Sequence, residues 1–259
     1  MAYNQVITQK KDCIMQYFGL IGYPLGHSFS KKYFSVKFEK EKIEAKYDLF
    51  ELANIQDFND LIKKNKLAGL NVTIPYKEQI IPFLNELDDT AAKISAVNVI
   101  KILQKDGEIY LKGYNSDAIG FENSIKPYLK AHHTHALILG TGGASKAIKY
   151  VLNKLGIVTT FVSRTPKADM LTYSQLDEKL LGENTIIVNA SPIGTYPHIA
   201  ECPDIPYQFI NDQHLLFDVV YNPSETLFLR IGRERGAQGL NGENMLIQQA
   251  EAAWAIWNQ

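Results

Sequence analysis

A lysine, an aspartate and a run of glycines are the residues of this chain whose types and spacing suit chemistry. Lys77 ends the stretch Gly-Leu-Asn-Val-Thr-Ile-Pro-Tyr-Lys, residues 69–77. Leu70, Val72 and Ile74 alternate with other residues, as in a strand with one buried face. Pro75 cannot donate to a ladder and restricts the residue before it, so it ends that strand. Lys77 then falls in the first turn of an expected helix over 77–84. A cation there faces the positive end of the helix dipole, which disfavours it by a few tenths of a kcal/mol or more. A lysine in such a place suits proton transfer, because desolvation, a nearby cation or a helix N-terminus brings its pKa toward the working range. Asp117, in Lys-Gly-Tyr-Asn-Ser-Asp (112–117), is the candidate carboxylate to orient that amine. It lies where a first block of the chain meets a second, which is where a cleft would form. Spacing alone does not bring the two together. A solvated lysine is the ordinary alternative, and Asn115, Ser116 and Asp117 all suit a helix cap.

The second constellation is Gly140-Thr141-Gly142-Gly143-Ala144-Ser145, set between an apolar run (135–140) and a helical pattern (145–156). Strand, glycine-rich turn and helix in this order form a dinucleotide site: Gly140 permits the tight turn, and Gly142 lets the backbone approach a pyrophosphate at a helix N-terminus. Gly143 and Ala144 keep the turn small, and Ser145 stands in for the third glycine. A tight turn that binds nothing is the alternative. The next strand, 157–164, ends in Ser163-Arg164-Thr165-Pro166-Lys167 and not in an acidic residue. A guanidinium pairs bidentately with phosphate oxygens, so this end favours the 2′-phosphate of NADP over the bare ribose of NAD. Arg164 could otherwise be a solvated surface residue.

The elements that must position these groups alternate between strand-like and helix-like throughout, the pattern of an α/β protein with mostly parallel strands. Strands are expected over 17–23, 46–52, 135–140, 157–164, 185–191 and 215–221. A hairpin is expected from 96–103 and 108–114 around Asp106-Gly107. Helices are expected from Ser28 or Ser30 to about Glu41, over 55–64, over 120–130 with a break at Pro127, and over 243–257. In the last of these Leu246, Ala250, Ala253, Trp254 and Trp257 share one face. Residues 1 to about 14 read as a loose tail.

Bulk composition sets the frame. The 259 residues carry a net charge of −1, are 46% hydrophobic and 21% charged, and suit one large or two medium domains. This balance speaks against a general nucleic-acid binder or a membrane-surface protein. No apolar run is long enough for a transmembrane helix, and no secretory signal is evident, so a cytoplasmic setting is expected. Cys13 and Cys202 are far apart and form no metal motif. His132, His133 and His135 lack a carboxylate or cysteine partner at ligand spacing, so no metal is expected. His27 suits a hydrogen bond within its turn, and the charged run 37–46 reads as a solvated helix face.

Nine segments in order carry a family resemblance: GYPLGHSFS (22–30), GLNVTIPYK (69–77), SAVNV (95–99), GYNSDAIG (113–120), GTGGASKA (140–147), SRTPK (163–167), NASPIG (189–194), DVVYNPSET (218–226) and NMLIQQA (244–250). Together they resemble shikimate dehydrogenase over nearly the whole chain. The resemblance implies an N-terminal α/β substrate-binding domain over 1–112, completed by 239–259, and a Rossmann-like NADP domain over 113–238. It implies reduction of 3-dehydroshikimate to shikimate with NADPH, with Lys77 and Asp117 as the catalytic pair. Ser28 and Ser30 would hold the substrate carboxylate; Thr73, Asn98, Tyr221 and Gln249 would add contacts to carboxylate and ring hydroxyls. Gly140, Gly142, Gly143, Ala144, Ser163, Arg164, Thr165, Lys167 and Met245 would meet the cofactor. A small-molecule substrate and a monomer or homodimer are implied.

The chain departs from the pattern at three points. Lys31 and Phe34 stand where the family commonly has proline and histidine, Asn-Ser-Asp replaces Asn-Thr-Asp, and Gly242-Glu243-Asn244 replaces Gly-Leu-Gly. Quinate as substrate, NAD as cofactor, a catalytically silent ligand sensor and a Rossmann-type methyltransferase are the competing readings.

Overall fold

A computed structural model describes residues 15–26 and 28–259; the expectations for the N-terminal tail, Cys13 and His27 lie outside these residues. The strands are β1 (Gln16–Gly22), β2 (Ala45–Glu51), β3 (Gly69–Val72), β4 (Glu86–Leu87), β5 (Val99–Lys105), β6 (Glu108–Tyr114), β7 (His135–Leu139), β8 (Val158–Ser163), β9 (Met170–Thr172), β10 (Ile186–Asn189), β11 (Leu215–Asp218) and β12 (Gln238–Leu240). The helices are α1 (Phe29–Glu41), α2 (Phe58–Lys64), α3 (Tyr76–Gln79), α4 (Asp89–Ile94), α5 (Ser116–Ile125), α6 (Gly143–Lys154), α7 (Glu178–Glu183), α8 (Leu227–Glu234) and α9 (Glu243–Trp257).

Two six-stranded sheets result. The first runs β2-β1-β3-β5-β6-β4. It is mixed: β3–β5 and β5–β6 pair antiparallel, the latter as the expected hairpin through Asp106 and Gly107, both at positive φ. The second runs β12-β11-β10-β7-β8-β9, all parallel. Numbered within itself this is the doubly wound order 3-2-1-4-5-6, whose switch point lies between β7 and β10. The sheets end at Tyr114 and Leu240, two residues beyond the expected joins at 112 and 238.

Three expectations need correction. The helix expected over 77–84 is only the four residues of α3 followed by a 3₁₀ turn at Ile81–Phe83, because Pro82 removes a donor where a longer helix needs one. So short a helix has little dipole, and its N-terminus has little effect on Lys77. The strand before it is covered on both faces over 69–72, while Ile74 is 72% exposed beyond its end, so burial there does not alternate. Finally, α5 begins at Ser116 and not near Gly120, and a 3₁₀ turn carries Pro127.

The helix α9 ties the two sheets together. Its first turn buries Met245 in the core beneath the second sheet, with Phe121, Ile138 and Phe217. Its later turns bury Ala250, Ala253, Ile256 and Trp257 against Phe18 and Tyr47 of the first and Phe34 of α1. Trp257 stacks on Phe18 with ring centroids 4.7 Å apart and donates to the Ile100 carbonyl at 3.1 Å. Lys37, read as part of a solvated face, reaches across from α1 to Glu251 of α9 at 3.0 Å. No helix among the described residues is long and apolar enough to cross a membrane.

Candidate active site

The site grows from three local decisions of the chain. The first concerns Asp117. Three residues could cap α5, and Asn115 does so: its Oδ1 accepts from the Ala118 N–H at 3.1 Å. Asp117, in the first turn, is left free for other partners although only 3% exposed. The second concerns Lys77. Its carbonyl accepts from the Val97 N–H at 2.7 Å, which fixes α3 to the segment leading into β5. Its Nζ donates to Asp117 Oδ2 at 2.6 Å. The third is Asn98, 3% exposed, whose Nδ2 lies 2.8 Å from Asp117 Oδ1, 3.0 Å from Ser116 Oγ and 3.2 Å from Gln249 Oε1. Its own Oδ1 accepts from the Ser116 N–H at 2.6 Å. Both oxygens of Asp117 are therefore engaged, one by the lysine and one by the asparagine.

Lys77 and Asn98 border a cavity of about 260 Å3. Ser28, Ser30, Thr73 and Gln249 line it too, so five elements or connectors bring hydroxyls, amides and one amine to a single space. Ser28 is the N-cap of α1; its Oγ accepts from the Lys31 N–H at 3.3 Å, which leaves its hydrogen to donate elsewhere. Such a lining suits an anionic polyol and disfavours analogues that leave these groups unpaired. Tyr221 is not part of it. It stands 40% exposed on the far side of Phe29, ring centroids 5.9 Å apart, in a neighbouring space that shares Ser28 and Phe29.

The glycine-rich turn lies alongside. Gly140 has φ +112°, and a Cβ there would stand 3.2 Å from the Ala190 carbonyl, at the switch point between β7 and β10. Gly142 precedes α6, and a Cβ on it would meet nothing within 4 Å, so the turn is open to a ligand. Ser145 is fully buried and its Oγ donates to the Gly142 carbonyl at 2.5 Å, closing the turn from below. Gly143 faces the lysine: a Cβ on it would be 3.3 Å from Lys77 Cδ. Beyond β8, Arg164, Thr165 and Lys167 are exposed, and the Thr165 N–H donates to Ser163 Oγ at 3.2 Å. An open turn, a long helix behind it and two exposed cations fit a phosphorylated dinucleotide. Met245, by contrast, is 6% exposed in the core and is not brought to the surface of this crevice. Among the described residues no cluster of histidine, cysteine, aspartate and glutamate could hold a metal ion.

One polar lining residue escaped sequence reasoning. Asn71, in the middle of β3, borders the cavity at 8% exposure. Alternation assigns it to a solvent face that the fold in fact covers, so nothing in its own segment marks it.

The profile of the shikimate dehydrogenase substrate binding domain matches residues 20–100. The chain is 36% identical to the shikimate dehydrogenase (NADP(+)) of Methanosphaera stadtmanae, over 92% of this chain and 90% of that protein. A chorismate mutase/shikimate 5-dehydrogenase fusion protein from Clostridium acetobutylicum has a crystal structure that matches with TM-score 0.83 at 34% identity, over 94% of this chain and 91% of that one. The Thermus thermophilus shikimate 5-dehydrogenase, crystallised with NADP(H) and shikimate, matches with TM-score 0.81 at 27% identity, over 94% and 92%. With better than one residue in three shared along nearly the full length of a curated relative, this chain belongs to the shikimate dehydrogenase family.

Proposed function

We propose that the chain is an NADP-dependent shikimate dehydrogenase, which reversibly reduces 3-dehydroshikimate to shikimate on the way to chorismate and the aromatic amino acids. The observation that carries this reading is the 2.6 Å contact of Lys77 with Asp117 beside a hydroxyl- and amide-lined cavity. In reduction, Lys77 Nζ gives a proton to the ketone oxygen as negative charge gathers there; in oxidation it takes the proton back. Asp117 holds the amine in place and is itself held by Asn98. When bound, NADPH supplies the hydride that the ring carbon receives.

Ser28 and Ser30 take the substrate carboxylate, and Thr73, Asn98, Gln249 and Tyr221 add contacts to carboxylate and ring hydroxyls. Tyr221 must then approach from the second-sheet side, past Phe29. Gly140, Gly142, Gly143 and Ala144 face the pyrophosphate, and Ser163, Arg164, Thr165 and Lys167 the 2′-phosphate. Met245 supports the nicotinamide end from within the core. The substrate domain ends near residue 114 and resumes near 241 with α9, and the NADP domain lies between; the ends of the two sheets support these joins. We place the reaction in the cytoplasm, where a reduced nicotinamide pool is at hand.

The test is a spectrophotometric assay at the nicotinamide absorbance, with shikimate or quinate and with NADP or NAD. The reading requires kcat/KM to be highest for shikimate with NADP. Preference for quinate or NAD would correct it, and no turnover with any pair would refute it.

A further inference from the structure

Behind one of the residues that line the cavity lies a buried phenol that the proposed chemistry does not use. Tyr47 on β2 is 3% exposed, and its Oη donates to Asn71 Oδ1 at 2.8 Å. An amide whose oxygen is held in this way must turn its nitrogen the other way. Asn71 Nδ2 donates one hydrogen to the Asn98 carbonyl at 3.2 Å, and its second hydrogen has no protein partner among the described residues. The asparagine borders the space that Lys77 and Asn98 also border. Burial raises the Tyr47 pKa well above the ordinary phenol range, more than the Ser30 hydroxyl beside it lowers it, so the Tyr47 hydroxyl remains a donor; Ser30, which also lines the cavity, is its second polar neighbour. The ring is fixed by Phe34, which is fully buried and stacks on it with centroids 4.8 Å apart at 16°. Phe34 is one of the residues that depart from the family pattern.

We propose that Tyr47 is a positioning residue for substrate binding, whose hydroxyl holds Asn71 with one amide hydrogen available to a ligand hydroxyl or carboxylate in the cavity. This rests on the functional reading above. A tyrosine that merely filled the core would also need an acceptor for its hydroxyl; what separates the two roles is kinetic, since loss of a core contact would disturb affinity and turnover alike.

The test is Tyr47→Phe, which keeps the ring and its stack and removes one oxygen. The KM for shikimate is expected to rise about tenfold, the usual worth of one oriented hydrogen bond. The kcat should stay within about twofold, and the KM for NADP should not move. In an Asn71→Ala background the same change should add little, because the group it orients is gone. An unchanged KM for shikimate overturns the proposal. So does an equal effect on both KM values and kcat, or a full-sized effect in the Asn71→Ala background. If the wild-type chain itself fails to oxidise shikimate with NADP, the functional reading falls and the proposal with it. Wild-type turnover without the Tyr47→Phe effect removes the proposal alone.

Discussion

The stem of Lys77 lies against Gly143, so that a Cβ on the glycine would stand 3.3 Å from Cδ and 3.5 Å from Cβ of the lysine. One residue follows a strand of the first sheet, and the other opens a helix of the second. The contact brings the amine to the glycine-rich turn without any flexible linker, and the next residues repeat the link: Lys146 Nζ pairs with Glu78 Oε2 at 2.7 Å.

Gly143→Ala tests this approach. Alanine is otherwise welcome at the start of α6, where it should add up to about 1 kcal/mol of stability over glycine. The added methyl is tighter than most contacts to Lys77, so the stem must shift while Asp117 still holds its tip. A misplacement of a few tenths of an ångström should lower kcat about three- to tenfold. Thermal midpoint and kcat therefore move apart: stability unchanged or raised, turnover reduced. Unchanged kcat would show that the packing of the stem is irrelevant.

Arg164→Ala tests the cofactor end. Hydrogen bonds to a charged group contribute about 1.5–3 kcal/mol each, so losing the guanidinium should raise the KM for NADP roughly ten- to hundredfold. The KM for NAD, which lacks the 2′-phosphate, should scarcely change. Equal losses with both cofactors would point to a structural role for the arginine.

Acid should weaken the second sheet near neutrality. His133 and His214 are buried at its lower edge with matching arrangements: Nδ1 accepts from a backbone N–H, of Lys130 at 2.9 Å and of Asn211 at 3.1 Å. Each Nε2 faces a carbonyl, of Gln213 at 3.3 Å and of Leu181 at 3.1 Å. Burial lowers both pKa values, with His132 beside His133 adding to its shift. The unfolded chain, with histidines near 6.5, therefore takes up protons first as pH falls, and stability declines below about pH 7. The slope is at most about 1.4 kcal/mol per pH unit for each proton. Asp218 acts in the opposite sense. Burial raises its pKa to about 6, so the folded state binds its proton first below that pH and regains some stability. The urea midpoint should thus begin to fall as pH is lowered through about 6.5, with the fall partly offset below pH 6 where Asp218 takes up its proton. A flat profile there would contradict the neutral assignment of the two histidines.

Much of the fold was legible because the signals were local. Alternation of apolar runs with helical patterns gave the α/β class, and Asp106-Gly107 gave the hairpin, since two residues at positive φ fit only such a turn. What failed depended on neighbours distant in sequence. Coverage of β3 on both faces comes from elements as far away as α9, so Asn71 could not be read as buried from its own segment. Pro82 divides what periodicity took for one helix. The meeting of Lys77 and Asp117 was no more visible in the spacing, because it needs Asn115, and not Asp117, to cap α5. The ordered set of nine motifs supplied that expectation. Tyr221 shows its limit: the motif matches, yet the ring stands outside the cavity.

The Lys77→Ala variant decides whether the amine held 2.6 Å from Asp117 carries the proton. Steady-state kinetics with shikimate and NADP should show kcat reduced by about 10²–10⁴, the usual worth of a positioned acid–base group. The KM for shikimate should change by less than about threefold, because the hydroxyls and amides that hold it remain. Near-normal kcat in a folded variant, or a loss confined to KM, would mean that the proton travels by another group.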